Sequence, residues 1–206
     1  MTRRHILQQA LAVPFAMCAE ASSAPAASQI ISEPNCLSQE SAAGFRSLHR
    51  ASITILLCGM STLGKSGALQ LREQALRGKW IVFESSPLCT RKQARTLQDV
   101  FGIALNEPVA ASSDDLFARY IWPHSALTRS FSAVIPVACS PTEAIAHYGG
   151  VPIAMKRRIG RGGIVFLGSM LGPNLRAEEP EATKLAAAIF SGTTFAGTST
   201  AASTNT

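Results

Sequence analysis

The chain has 206 residues, 19 Lys and Arg against 13 Asp and Glu, a net charge of +6, and 47% hydrophobic residues. That size and apolar fraction fit one globular core and exclude a disordered or fibrous chain. The basic excess holds no dense Lys/Arg run, which removes the electrostatic case for nucleic-acid binding, and no apolar stretch is long enough for a membrane helix.

Met1-Thr2-Arg3-Arg4-His5-Ile6-Leu7 is a basic start, followed by a mildly apolar run to Ala19 that Gln8, Gln9 and Pro14 interrupt. Ala24-Pro25-Ala26 supplies small residues for cleavage, so residues 1–26 read as an export signal peptide. Thr2 to Leu7 resembles the twin-arginine export motif, which implies a bacterial protein that crosses the membrane folded and resides in the periplasm. A lipid anchor on Cys18 fits less well, because Phe15-Ala16-Met17 lacks the small residue expected beside the cysteine. Loss of Arg3, Arg4 and Glu20 leaves a charge of +5. Cys36, Cys58, Cys89 and Cys139 remain; Cys36 with Cys89 is the disulfide to test, while Cys58 and Cys139 lie in apolar runs as buried thiols. Without a CxxC or Cys/His ligand spacing, no metal site is expected.

Residues 27–51 read as a leader segment with one short helix over Ser38 to His49. Residues 52–190 then form the domain. Ile53 to Cys58 is a short β-branched and apolar run, Ala68, Leu69, Leu71, Ala75 and Leu76 mark the inner face of a helix, and Trp80 to Phe83 is a second buried strand. Ser66 is the expected cap of that helix and Gly78 its end. This βαβ unit predicts a mostly parallel sheet flanked by helices. Thr90 caps a second helix from Arg91 to Phe101, ended by Gly102. Tyr120-Ile121-Trp122 is β-prone, His124 to Phe131 reads as a short helix, and Ala133 to Ala138 is a strand that Pro136 moves to an edge. Pro152 to Arg158 and Gly163 to Gly168 form a β-hairpin around Ile159 to Gly162. Its Lys156, Arg157, Arg158 and Arg161 read as a solvated strand end, with a phosphate, lipid-headgroup or acidic-partner contact as the alternative. Pro180 opens a last helix, and residues 191–206 are a Gly/Thr/Ser/Ala tail expected to be disordered.

Three pieces resemble a class I glutamine-amidotransferase-like domain. They are Leu56-Leu57-Cys58-Gly59 with the loop Met60 to Leu63, the helix, Gly turn and strand from Leu69 to Ser85, and the closing hairpin Arg158 to Ser169. The resemblance implies a flavodoxin-like α/β fold with a C-terminal β-hairpin and final helix. The enzymes of that superfamily carry a nucleophilic cysteine on the turn after a strand, yet here that turn reads Glu84-Ser85-Ser86-Pro87. Ligands of such a sheet sit at the C-terminal strand ends, which nominates Gly59, Met60, Ser61, Glu84, Ser85 and Ser86 as the mouth of a binding site.

Gly59-Met60-Ser61-Thr62-Leu63-Gly64-Lys65-Ser66 also spells a Walker A loop between a strand and a helix. On that reading Gly59 and Gly64 shape a phosphate cradle, Lys65 reaches the β/γ-phosphates and Ser66 ligates Mg²⁺ of ATP or GTP. No strand ends in a convincing Walker B aspartate, and an exported protein meets no standing ATP supply. The expectation is therefore an exported, non-catalytic binding or structural protein of the bacterial envelope, such as an accessory to a transport or redox assembly, with an envelope protein as partner and no cofactor. A nucleotide- or phosphate-binding protein is one alternative. A hydrolase using Ser85, Ser86 or Cys89 is the other, with His147 the one histidine near a late loop.

Overall fold

The computed structural model of the protein describes residues 29–46, 48, 54–111, 117–130 and 133–192. The expected export signal and the tail beyond Gly192 lie outside these residues. In chain order the elements are β1 (Gln29–Ser32), α1 (Cys36–Arg46), β2 (Thr54–Met60), α2 (Lys65–Leu76), β3 (Trp80–Ser85) and α3 (Arg91–Phe101). Short strands follow: β4 (Ala104–Leu105), β5 (Val109–Ala110), β6 (Phe117–Tyr120), β7 (Ala126–Arg129), β8 (Ala133–Val134) and β9 (Val137–Ala138). The chain closes with β10 (Ala144–Tyr148), β11 (Val151–Ile159), β12 (Gly162–Leu167), α4 (Gly172–Arg176) and α5 (Pro180–Gly192).

Eight strands form one sheet in the order β1-β2-β3-β12-β11-β10-β6-β7. The pairs β1–β2, β2–β3 and β3–β12 are parallel. The pairs β12–β11, β11–β10, β10–β6 and β6–β7 are antiparallel. The sheet is therefore mixed, and the expected mostly parallel, flavodoxin-like sheet is overturned. The βαβ unit is real, but its parallelism does not extend across the sheet. Beyond α3, three of these four antiparallel pairs are joined by connections too short for a crossover: residues 121–125 between β6 and β7, Gly149-Gly150 between β10 and β11, and Gly160-Arg161 between β11 and β12. A parallel pair needs a connection of a dozen residues or more, so these strands can only run antiparallel.

Both faces of the sheet are covered around its parallel half. Ile55, Leu57, Ile81, Phe83, Ile164 and Phe166 pack with α2 and α3 on one side. Leu56, Cys58, Val82, Val165 and Leu167 pack with α1, α4 and α5 on the other. Burial on both sides explains why β2, β3 and β12 are near-continuous apolar runs. The antiparallel strands β6 and β7 instead alternate exposed and buried residues, one face open to water.

Local differences from expectation have local causes. β1 emerges inside the expected leader segment, because Gln29 to Ser32 pairs in parallel with Ile55 to Cys58. The helix expected over His124 to Phe131 is strand β7, whose alternation is too short to distinguish by period from a helical turn. The cap of α2 is Gly64, with no side-chain hydrogen bond, and Ser66 lies inside the helix. By contrast α3 begins at Thr90, whose hydroxyl accepts from Gln93 N–H, and ends at left-handed Gly102 as expected. Cys36, Cys58, Cys89 and Cys139 are free thiols, so Cys36 and Cys89 are not bonded.

The basic hairpin is largely absorbed by the fold. Arg157 donates to both Glu143 oxygens, at 2.6 and 2.9 Å, and to the carbonyls of Phe101 and Gly102 at the end of α3. Arg161 donates to the Arg77 carbonyl at the end of α2 (3.0 Å). Both guanidinium groups thus meet the negative ends of helices. Lys156 Nζ sits 3.9 Å from the ring centre of Trp122 and 5.0 Å from that of Trp80.

Candidate functional site

The C-terminal ends of the parallel strands meet at Glu84, the penultimate residue of β3. Its side chain is 0% exposed. Opposite it, β2 carries one residue too many: Leu57 faces Phe83 and Met60 faces Ser85, so Cys58 and Gly59 together oppose Glu84. Gly59 adopts φ +52° in this bulge, a conformation that favours glycine, and its N–H turns toward the glutamate. Glu84 Oε2 accepts from Gly59 N–H at 2.8 Å and from the Ser41 hydroxyl of α1. Oε1 accepts from Leu171 N–H at 2.7 Å and Gly172 N–H at 2.9 Å, where the chain enters α4. No space is left beside these contacts: a Cβ on Gly172 would stand 2.0 Å from Ser41 Oγ. Burial pushes the Glu84 carboxyl above its ordinary range, while the four donors pull it back. The same burial raises the thiol of Cys58 and the phenol of Tyr120, and the proximity of Glu84 adds to both shifts.

A second carboxylate fills the adjoining loop. Glu33, directly after β1, accepts at Oε2 from Ser61 N–H (3.0 Å), from the Ser61 hydroxyl and from Asn35 Nδ2 (2.9 Å). Its Oε1 accepts from Thr62 N–H and the Thr62 hydroxyl, both at 2.7 Å. Burial pushes Glu33 upward, but the hydrogen bonds from Ser61 and Thr62 outweigh it and hold the group below the ordinary carboxylate value. The loop that spells Walker A therefore does cradle an anion, and that anion is a side chain of the same protein. Gly64 has open space around it, and Lys65 and Ser66 are exposed.

Of the other nominated residues, Met60, Ser85 and Ser86 are buried, and Ser61 is half-buried under Glu33. Met60 O accepts from Ser86 N–H (2.8 Å) and from Gln93 Nε2 (3.1 Å). The Ser85 hydroxyl donates to the Ser86 carbonyl at 3.4 Å and also meets the Cys89 thiol. Cys89 is half-buried, and burial raises its thiol away from the reactive thiolate. His147 lies on β10, separated from β3 by β12 and β11. At the usual strand spacing that is about 14 Å, so no nucleophile–histidine pair forms from Ser85 or Ser86.

An open cavity of about 470 Å³ lies elsewhere, lined by Phe117, Arg119, Leu127, His147, Gly149 and Gly150. His147, expected only as a histidine near a late loop, lines this cavity, and no motif in the sequence marks Glu33. Glu33 follows the apolar run Gln29 to Ser32, and recognising that run as a strand would have placed it beside the β2–α2 loop.

No family model matches the chain, and no curated protein does. Among solved structures it is similar to cytoplasmic protein STM1381 of Salmonella typhimurium LT2, at TM-score 0.52 and 12% identity over 68% of this chain and 71% of that one. Cytoplasmic protein STM3548 of the same organism gives 0.51 and 12%, with the same coverage. Gan42B, a GH42 β-galactosidase from G. stearothermophilus, gives 0.51 and 13% over 74% of this chain but 27% of that one. The chain thus spans about a quarter of the β-galactosidase. At these identities the likeness is one of fold alone. With the mixed sheet, these neighbours overturn the resemblance to a class I glutamine amidotransferase.

Two outcomes test the cluster. Glu84→Gln turns an amide NH₂ toward N–H donors on whichever side it points, so at least one buried donor is lost. Urea unfolding should show a loss on the order of 1–3 kcal/mol; an unchanged midpoint would mean that the carboxylate does not tie the strand ends. For Glu33 the sign is opposite to that of a raised group. The folded carboxylate keeps its charge to lower pH than the unfolded one, so its contribution is full above the ordinary value of 4.5 and is lost as pH falls below it. Urea midpoints measured from pH 7 to pH 3 should fall less steeply in Glu33→Gln than in the wild type.

Proposed function

We propose that this chain is an exported, non-catalytic binding protein of the bacterial envelope. The observation that carries the reading is the state of the strand-end cluster, where both carboxylates and the serines are consumed by contacts within the chain. A catalytic acid or base must reach the reacting group, and Glu84 reaches only its own backbone and Ser41. A phosphate at the Ser61–Thr62 amides would have to displace Glu33 and lose its hydrogen bonds. This favours binding without chemistry over the nucleotide reading, and an open concavity around Arg119 offers a surface for it. Export rests on Arg3, Arg4 and the run that follows them.

Calorimetric titration with ATP or GTP and Mg²⁺ tests the first part. No saturable heat is expected, in the wild type or in Lys65→Ala. Micromolar binding that Lys65→Ala abolishes would make the glycine loop a nucleotide site and sink the proposal. For export, the double change Arg3→Lys with Arg4→Lys should strand the protein in the cytoplasm on cell fractionation; undiminished periplasmic protein would remove the export half.

A further inference from the structure

We propose that the open face of β6, β7 and β10 is a binding site for an anionic amphiphile, a small molecule that joins an apolar chain or ring to one carboxylate. This deepens the binding-protein reading and rests on it.

Strand register builds the site. His147 on β10 pairs with Arg119 on β6, and Arg119 pairs with Leu127 on β7. Register partners point to the same side of a sheet, so these three form one row across three strands. Phe117, two residues before Arg119, stands on the same side. On the opposite side Ala118, Tyr120, Ala126 and Thr128 are buried in the core. The open side is therefore not a continuation of that core but a separate surface with its own composition.

That composition is unusual for a water-facing sheet. Phe117 and Leu127 are 50% and 52% exposed, large apolar groups where alternation calls for polar ones. Between them stands Arg119, with His147 beside it. None of the three strands carries an acid, and no salt bridge among the described residues involves Arg119 or His147. The β10–β11 turn lines the cavity with Gly149 and Gly150, neither of which carries a side chain, and a Cβ placed on Gly150 would meet nothing within 4 Å. The resulting space of about 470 Å³ is of the size that holds small ligands.

Chemistry then selects the occupant. A planar guanidinium that forms no salt bridge among the described residues fits a carboxylate two-fold, and the neighbouring imidazole offers a further nitrogen. Phe117 and Leu127 cover an apolar body and exclude water from that contact. A neutral apolar molecule would leave Arg119 to be desolvated without a partner, and a cation would meet like charge.

The test uses decanoate as probe, with decanol as its neutral counterpart, titrated at pH 7 into the full chain and followed by amide NMR shifts. Saturable decanoate shifts centred on residues 117–120, 126–129 and 147–150 are expected, with decanol at least tenfold weaker. Arg119→Gln should weaken decanoate at least tenfold while the thermal midpoint stays within a degree or two. Should that variant fail to fold, Leu127→Ser reads the same site from its apolar side. Absence of saturable binding, equal binding of decanol, or decanoate affinity untouched by Arg119→Gln and Leu127→Ser would each overturn the site. Those outcomes leave the binding-protein reading standing, since that reading fails separately on the magnesium-nucleotide titration.

Discussion

The Glu84 carboxylate is the constraint on which the parallel half of the molecule depends. It is a charge-capable group with no contact to water, and it is tolerable only because four donors converge on it. Those donors come from three separate places in the chain: α1, the bulge of β2, and the entry to α4. Each must therefore be in position for any of them to be useful. The bulge at Cys58 and Gly59, the contact between α1 and α4 across Gly44 and Gly172, and the burial of Ser41 all follow from the same requirement. Removing the acid would leave three backbone N–H groups, of Gly59, Leu171 and Gly172, and the Ser41 hydroxyl facing one another without their acceptor.

Glu33 repeats this arrangement one strand away. In both places backbone N–H groups at the end of β2 meet a carboxylate of the protein itself. Sheets of this kind usually offer such amides to ligands. Here the chain spends them on its own architecture, whereas Arg119 and His147 on the antiparallel half line an open cavity. The division follows the burial pattern. The parallel strands are covered on both faces and their ends are sealed, whereas β6 and β7 have a solvent side on which side chains are free to differ from what a core requires.

The βαβ unit, α3 with its Thr90 and Gly102 caps, the β11–β12 hairpin and the last helix were all legible in the sequence, because each carries a strong local signal. Apolar runs bounded by glycine, an N-cap hydroxyl, or a proline in the first turn need no knowledge of the rest of the chain. Sheet order was not legible in this way. Nothing local to Trp80 or Gly163 says that β3 and β12, some eighty residues apart, lie side by side in parallel, and it is through β12 that the antiparallel hairpin with β11 joins the sheet and makes it mixed. β1 and β7 were misread because four-residue strands carry too few positions to reveal a period. The strand-end residues read as the mouth of a binding site, and in the structure Gly59 and Glu84 bond to each other in a buried cluster. Their burial depended on Ser41, Leu171 and Gly172, partners remote in sequence and unremarkable in type.

Lys156 lies between the only two tryptophans of the chain, Trp80 on β3 and Trp122 just after β6. One indole belongs to the parallel half and the other to the antiparallel half, with the ammonium of β11 bridging them. Intrinsic tryptophan emission from this protein is consequently a reporter of the seam between the halves. A change in its wavelength or intensity reads whether the two halves remain joined, and it is blind to events at the far edge of either.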